Sequence, residues 1–184
     1  MKLNRLILVA LLLVALVVAL GVMNAPARAG GPSAKAKLYD AAGQRVGEVK
    51  FSQEDDGTVM VKAKVNGLSP GFHGFHIHAV GNCTPPFTSA MGHFNPGGQS
   101  HPAHAADMPV LLVNADGAGE ARFKTDRFTI AALFDADGSA VIVHASPDNY
   151  ANIPTRYVAA PDATTLATGD AGSRAACGVV EGGD

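Results

Sequence analysis

Two histidines separated by one residue form the first pattern in this sequence with clear chemical content. His76 and His78 lie in an apolar stretch, and on a β-strand, where side chains alternate between faces, they share one face while Phe75 and Ile77 share the other. Two imidazoles roughly 6.5–7 Å apart along a strand can bind a single metal ion. The alternative is a half-buried strand whose polar side chains face solvent.

The remaining histidines favour the metal hypothesis. The chain has seven histidines, at positions 73, 76, 78, 93, 101, 104 and 144. Residues 83–109 are rich in proline and glycine, lack apolar periodicity and contain His93, His101, His104 and Asp107. A loop longer than about 15 residues is uncommon in a domain unless it is functional or disordered. A bound metal would supply the order that this backbone lacks.

Short alternating segments separated by turns must position these side chains. Strands are predicted over residues 36–39, 46–51, 58–65, 110–114, 120–124, 140–144 and 175–180, in addition to the strand of His76. Asp-Gly and Asn-Gly pairs predict tight turns between several of them. A second irregular stretch covers residues 146–172. The pattern predicts an all-β fold, an antiparallel sandwich or flattened barrel of about eight strands with two long functional loops, and no helix, repeat or second domain.

The first 29 residues have the features of a signal peptide. Lys2 and Arg5 precede an apolar run from residue 6 to residue 22, and the sequence Ala-Arg-Ala at 27–29 is a small-x-small cleavage motif. The prediction is therefore a signal peptide over 1–29 and one domain over 30–184, exported to a periplasmic, cell-envelope or extracellular location. An uncleaved membrane anchor through residues 6–22 is the alternative.

Charge and cysteine content add two constraints. The formal net charge is −2, which gives no support to a nucleic-acid partner, since such a partner requires a basic surface. Cys83 and Cys177 are an even pair in an exported chain, where disulfides persist. A bridge between them would close a long loop and stabilise the fold by about 4–5 kcal/mol in the chain-entropy treatment. Two free buried thiols are the alternative.

Four motifs in order resemble the copper/zinc superoxide dismutases. They are Gly-Phe-His-Gly-Phe-His-Ile-His at 71–78, Gly-His-Phe-Asn-Pro at 92–96, Val-His at 143–144 and Gly-Asp-Ala-Gly-Ser-Arg-Ala-Ala-Cys-Gly at 169–178. The resemblance covers essentially all of the chain after residue 29. It implies a Greek-key β-sandwich.

The resemblance also implies two metal sites that share a ligand. His76, His78 and His144 match copper ligands, His93 matches the histidine that bridges copper and zinc, and His101, His104 and Asp107 match zinc ligands. Imidazole serves both oxidation states of copper. Zinc, which is redox-silent and commonly four-coordinate, suits three nitrogens and one carboxylate.

Further positions match residues around these sites in the family. Asp148 matches an aspartate that links His76 to His101, with a turn-capping aspartate as the alternative, and Thr168 matches a threonine that narrows the channel mouth. Arg174 matches an arginine that attracts the anionic substrate, with an ordinary surface arginine as the alternative. His73 has the strand parity of Phe75, so a structural role is expected for it.

The implied activity is conversion of superoxide to oxygen and hydrogen peroxide through Cu(II)/Cu(I) cycling, with Arg174 and His93 acting in catalysis. A rival from another class is an exported copper- or zinc-binding module without turnover, which needs the histidines but not Arg174. The lysine and paired glutamates often found near the channel threonine in the family are absent, because Ala163, Thr164 and Ala167 stand near those positions. The resemblance allows a homodimer. Because family dimers use different faces, the sequence does not identify a dimer interface.

Overall fold

Alternation of apolar and polar residues produces most of the strands. The computed structural model describes residues 31–183, and the segment predicted as a signal peptide or anchor lies outside them. The strands are β1 Ser33–Tyr39, β2 Arg45–Gln53, β3 Val59–Val65, β4 Gly71–His73, β5 Phe75–His78, β6 Leu111–Val113, β7 Gly119–Thr125, β8 Ala140–His144 and β9 Arg174–Gly182. The prediction of an all-β fold is confirmed.

The strands form one curled antiparallel sheet and one small sheet. The order in the large sheet is β5-β8-β9-β1-β2-β3-β7, and β4 pairs with β6. In β3 the residues alternate strictly between buried and more exposed positions. The buried positions of β1, β2 and β3 meet those of β5, β6 and β8 in one apolar core, which includes Leu38, Phe51, Val61, Ile77 and Leu111.

Strands β5 and β8 carry the functional side chains, and every residue in both strands is buried. Phe75 and Ile77 enter the apolar core, while His76 and His78 lie on the opposite face. The period-two expectation for this pair is therefore confirmed. Beyond β5, two isolated bridges pair His76 with Asp107 and His78 with His93, so the loop over 83–109 lies directly against the strand.

The structure also contains short helical turns, which the sequence did not predict. Residues Thr165–Thr168 form a single α-helical turn, α1, and two 3-10 helices cover Thr88–Ala90 and Ile130–Leu133. At the start of α1, Asp162 Oδ1 accepts a hydrogen bond from the backbone N–H of Thr165 at 2.8 Å. A helix of one turn is too short to produce an apolar period, so no periodicity in the sequence could predict it. Within residues 31–183 no helix is long and apolar enough to cross a membrane.

Candidate metal centre

Seven side chains form two adjoining clusters with one member in common. His76, His78, His93 and His144 make the first cluster, and His93, His101, His104 and Asp107 make the second. In each cluster the candidate ligand atoms all lie within 4.8 Å of one another, and every residue is buried. We call them the first and second cluster. The structure thus brings together all seven residues that the sequence selected as metal ligands.

Hydrogen bonds to backbone carbonyls fix the ring orientations in the first cluster. His78 Nδ1 lies 2.8 Å from the carbonyl oxygen of Met91, and His144 Nδ1 lies 3.1 Å from that of Gly172. A carbonyl can only accept, so each Nδ1 carries the proton and each neutral ring presents a lone pair at Nε2. The two Nε2 atoms face each other at 3.3 Å. A cation between them would turn this repulsive arrangement into a favourable one.

Asp148 fixes two further rings, one in each cluster. His76 Nε2 donates to Asp148 Oδ2 at 2.6 Å, and His101 Nε2 donates to Asp148 Oδ1 at 2.8 Å. The Nδ1 atom of His76 is buried without a hydrogen-bond partner among the described residues, while that of His101 faces Asp107 Oδ2 at 3.0 Å. A buried ring nitrogen with a free lone pair is what a metal ligand requires, so His76 fits a bound metal as it stands, and His101 fits one that replaces its Nδ1 proton.

The second cluster is built around the carboxylate of Asp107. Its Oδ1 lies 2.8 Å from His93 Nδ1 and 3.2 Å from His104 Nδ1, and its Oδ2 lies 3.0 Å from His101 Nδ1. The backbone N–H of His104 also donates to Oδ2 at 3.0 Å. Three ring nitrogens and one carboxylate oxygen are a donor set that suits tetrahedral zinc.

In the first cluster, burial lowers the pKa values of the histidines. Burial lowers the pKa of His76 to about 4, although Asp148 acts in the opposite direction, and burial lowers the pKa of His144 to about 3. Burial also lowers the pKa of His78 well below its ordinary value. These rings are therefore neutral at physiological pH and can bind a metal without first losing a proton.

In the second cluster burial lowers the pKa of His104, whereas at His101 the carboxylates outweigh burial. Burial acts to lower the pKa of His101, but the carboxylates of Asp107 and Asp148 raise it to about 9. Burial likewise acts to raise the pKa of each aspartate, yet the histidine contacts hold both values far below the ordinary range. Without a metal, His101 is therefore protonated at neutral pH and its proton occupies the position between the ring and Asp107.

A pocket of about 470 Å³ opens onto the first cluster. Its lining is formed by His78, Gly92, His93, His144, Thr164, Ala167, Thr168, Asp170, Gly172 and Arg174. Three buried rings of the first cluster, those of His78, His93 and His144, border this pocket, whereas His76 is not part of its lining. Thr168 lies in this lining, at the position the sequence selected for the channel mouth.

Arg174 is held in the pocket wall by the loop that precedes His93. Its Nη1 donates to the carbonyl oxygen of Phe87 and its Nη2 to that of Met91. Cys83 and Cys177 form a disulfide with Cα atoms 5.6 Å apart, which ties this loop to β9. The predicted disulfide is confirmed, and it anchors both the arginine and the carbonyls that orient it.

His73 lies outside both clusters. Its Nδ1 is 2.6 Å from the carbonyl oxygen of His144, and its Nε2 is 2.8 Å from that of Ser69. Both ring nitrogens are engaged by the backbone, in agreement with the expected structural role. The contact to His144 also holds the end of β8 against β4.

Tyr150 was missed by the sequence interpretation. Its ring stacks on that of His101, with centroids 6.3 Å apart and an interplanar angle of 9°, and its hydroxyl accepts from the N–H of Val110 at 2.7 Å. Its own N–H donates to Asp148 Oδ1 at 2.7 Å. Proximity to Asp148 in the sequence was the only available signal. The carbonyls of Met91 and Gly172 gave none, because any residue supplies a carbonyl.

Comparison with known proteins agrees with this geometry. The sequence profile of the copper/zinc superoxide dismutase family matches residues 45–180. The chain is 39% identical over 176 residues to "Superoxide dismutase [Cu-Zn]" of Mycolicibacterium paratuberculosis, covering 85% of this chain and 78% of that protein. It is 39% identical over 173 residues to the protein of the same name from Mycobacterium tuberculosis, covering 84% and 72%.

A solved structure gives the same result for the fold. A SOD-like protein from Bacillus subtilis aligns with a TM-score of 0.64 at 32% identity, covering 79% of this chain and 96% of that one. The matched profile spans most of the residues described above, including both clusters, Arg174 and the disulfide. This chain belongs to the copper/zinc superoxide dismutase family.

Proposed function

We propose that this chain is an oxidoreductase that converts two superoxide ions and two protons into oxygen and hydrogen peroxide. One observation carries the proposal: neutral rings from distant parts of the chain direct lone pairs toward one point beside a pocket that also contains Arg174. A metal-binding module without turnover would have no use for an arginine held in the wall of that pocket.

Copper would be held by the first cluster. Its ligand atoms are His76 Nδ1, Nε2 of His78 and His144, and His93 Nε2, since His93 Nδ1 faces Asp107. When bound, copper supplies the redox step, because it can accept an electron from one superoxide and give it to a second. The protein supplies ring orientation through Met91, Gly172 and Asp148.

Zinc would be held by the second cluster, through Nδ1 of His93, His101 and His104 and an oxygen of Asp107. The His93 ring then belongs to both sites, with Nδ1 on the zinc side and Nε2 on the copper side. His93 Nε2, the ring nitrogen that does not face Asp107, is the atom at which this ring could hold a proton and pass it to the reduced product.

Arg174 would attract and orient the substrate. Its guanidinium lines the same pocket as His78, His93 and His144, and a fixed cation there favours the entry of a small anion. Burial lowers its pKa from the ordinary value, but an arginine remains charged at physiological pH. Thr168 narrows the pocket on the opposite loop, and its hydroxyl donates to the carbonyl of Thr164 at 2.8 Å.

The test of this function compares superoxide decay with metal content. Purified chain carrying copper and zinc should accelerate decay catalytically, while His144→Ala should lose copper and activity together and keep zinc. His104→Ala should lose zinc before it loses copper. Metal bound at the expected ratio without any acceleration of decay would favour the rival function, an exported binding module, and would overturn the enzymatic proposal.

Export is part of the proposal and depends on the sequence alone. The basic residues, the apolar run over 6–22 and the small-residue motif at 27–29 support secretion with cleavage before residue 30, to a periplasmic, cell-envelope or extracellular location. Fractionation followed by N-terminal sequencing tests this. Recovery of the intact N-terminus in membranes would support the anchor instead, and recovery in the cytoplasm would contradict export.

A homodimer is the proposed assembly, on the basis of the family resemblance. Sedimentation equilibrium of the full chain tests it. A mass of two chains at micromolar concentration is expected, and the mass of one chain across the whole concentration range would overturn the proposal.

A further inference from the structure

Arg127 lies outside both metal clusters but contacts the backbone that carries the zinc ligands. It follows β7, and its own N–H donates to Thr125 Oγ1 at 3.2 Å. The next residue, Phe128, is buried in the core, where its ring meets that of Phe51 edge to face at 6.2 Å. The backbone of Arg127 is therefore fixed by the sheet, while its side chain is exposed.

One nitrogen of the Arg127 guanidinium meets three carbonyls of the 101–107 segment. Nη1 donates to the carbonyl oxygen of Pro102 at 2.7 Å and lies 3.4 Å from those of His104 and Asp107. This segment supplies three of the four proposed zinc donors. Convergence of three carbonyls on one cation fixes the segment's outer side.

The inner side of the same segment is held by β5. The N–H of Ile77 donates to the carbonyl of Ala106 at 3.2 Å, and the N–H of Met108 donates to that of Phe75 at 3.3 Å. Hydrogen bonds to β5 fix the segment where it approaches the core, and at its start the N–H of His101 donates to the carbonyl of Leu166 at 2.8 Å. The turn from Pro102 to His104 projects away from that strand, and Arg127 is the side chain that bonds to its carbonyls.

We propose that Arg127 is a positioning residue for the zinc site, holding the 101–107 segment in the conformation that brings His101, His104 and Asp107 together. This inference rests on the proposed zinc set. Arg127 touches neither the metal nor the substrate, so its effect should appear in zinc affinity and hardly in copper affinity. Outer partners of metal ligands typically change affinity by 10–100-fold, and we expect a loss near the lower end, about tenfold, because the side chain is exposed.

The experiment is a chelator challenge of the full chain loaded with copper and zinc. Three variants are compared with the unmodified chain: Arg127→Gln, Arg127→Lys and Arg122→Gln. Arg122 is exposed on β7, opposite Lys62 of β3, so its variant removes the same charge away from the 101–107 segment. Retained zinc and copper are each measured by mass spectrometry over a range of chelator concentrations.

Arg127→Gln should lose zinc at about tenfold less chelator than Arg122→Gln and the unmodified chain, with copper retention unchanged. Arg127→Lys should fall between them, because an ammonium keeps the charge but presents no planar guanidinium. Equal zinc retention by Arg127→Gln and Arg122→Gln would overturn the inference. Parallel loss of both metals would also overturn it, since that result indicates general destabilisation.

The outcome for the unmodified chain separates this inference from the proposed function. If that chain takes up no zinc, or if His104→Ala retains zinc as the unmodified chain does, the zinc set itself is wrong and the role of Arg127 is wrong with it. If zinc depends on His104 but not on Arg127, only the positioning role fails.

Discussion

His78 Nε2 and His144 Nε2 lie 3.3 Å apart, although 66 positions separate the two residues in the chain. Each ring donates its Nδ1 proton to a backbone carbonyl, so two lone pairs face each other in a buried space. Burial lowers the pKa of both rings, which prevents a proton from separating them at neutral pH. The pair is therefore prepared for a metal cation before one is bound.

Acidification should remove zinc before copper. The pKa of His101 is raised to about 9, so below that pH a proton competes with zinc for Nδ1, and zinc affinity should fall about tenfold per unit as pH decreases. The pKa values of His76 and His144 are lowered to about 4 and 3, so protons compete with copper at these rings only near those values. Metal content after dialysis between pH 4.5 and 8 checks the order. Loss of copper first, or loss of both together, would contradict this prediction.

The raised pKa of His101 also makes the stability of the metal-free chain depend on pH. A histidine whose pKa rises on folding stabilises the folded state fully below its unfolded value near 6.5, and this contribution is lost as pH rises through about 9. His76 and His144 act in the opposite sense, since their lowered pKa values destabilise the folded state as pH falls below 6.5. Chelator-treated full chain should accordingly unfold more readily on both sides of neutral pH.

Gly169→Ala should disrupt both metal sites. Gly169 has φ of 58°, and a methyl group built there would overlap Asp148 Oδ1 and His101 Nε2. Because Asp148 orients one ring in each cluster, we expect at least a tenfold loss of affinity for both metals. The measurement is metal retention against a chelator, together with thermal unfolding.

The matched control is Gly43→Ala. Gly43 also has a positive φ, 78°, but no atom lies within 4 Å of the position of an added methyl group. Gly43→Ala should lower the free energy of unfolding by about 1 kcal/mol, because alanine is strained at a positive φ, and it should leave both metal affinities unchanged. Equal metal retention by the two variants would show that contact with Asp148 and His101 is unimportant.

Removal of the Arg174 charge should weaken the salt dependence of turnover. If Arg174 attracts superoxide, kcat/KM of Arg174→Ala should be about tenfold lower at low ionic strength and should fall less steeply as salt is added. Arg122→Gln, which changes a charge elsewhere on the surface, should keep the wild-type slope. Identical slopes for Arg174→Ala and the unmodified chain would reject the steering role.

Asp170 is the one carboxylate in the pocket lining of the described chain, and it should slow substrate entry. Its Oδ2 accepts from Asn149 Nδ2 at 2.6 Å and from Thr165 Oγ1 at 2.9 Å, contacts that an asparagine oxygen can keep. Asp170→Asn should therefore preserve the loop and raise kcat/KM about threefold at low salt, with little change at high salt. Pulse radiolysis measures both values, and an unchanged or lower rate at low salt would refute the prediction.

Much of the candidate site was predictable because its chemistry depends on side-chain identity. The parity of His76 and His78 followed from strand geometry, and the metal-binding loop followed from its proline-rich, aperiodic composition. The residues that orient the ligands were harder to predict from the sequence. Met91 and Gly172 act through carbonyls, and Arg127 meets the 101–107 segment only through a tertiary contact between distant loops. Helix α1 escaped prediction because four residues define no periodicity.

The role of copper is tested by removing copper from the unmodified full chain and then restoring it. Catalysed superoxide decay, followed by pulse radiolysis, should disappear when copper is removed with zinc retained, and it should return in proportion to copper restored, up to one copper per chain. Decay that continues without copper, or that fails to return when the site is refilled, would contradict the claim that the converging rings of His76, His78, His93 and His144 hold the catalytic metal.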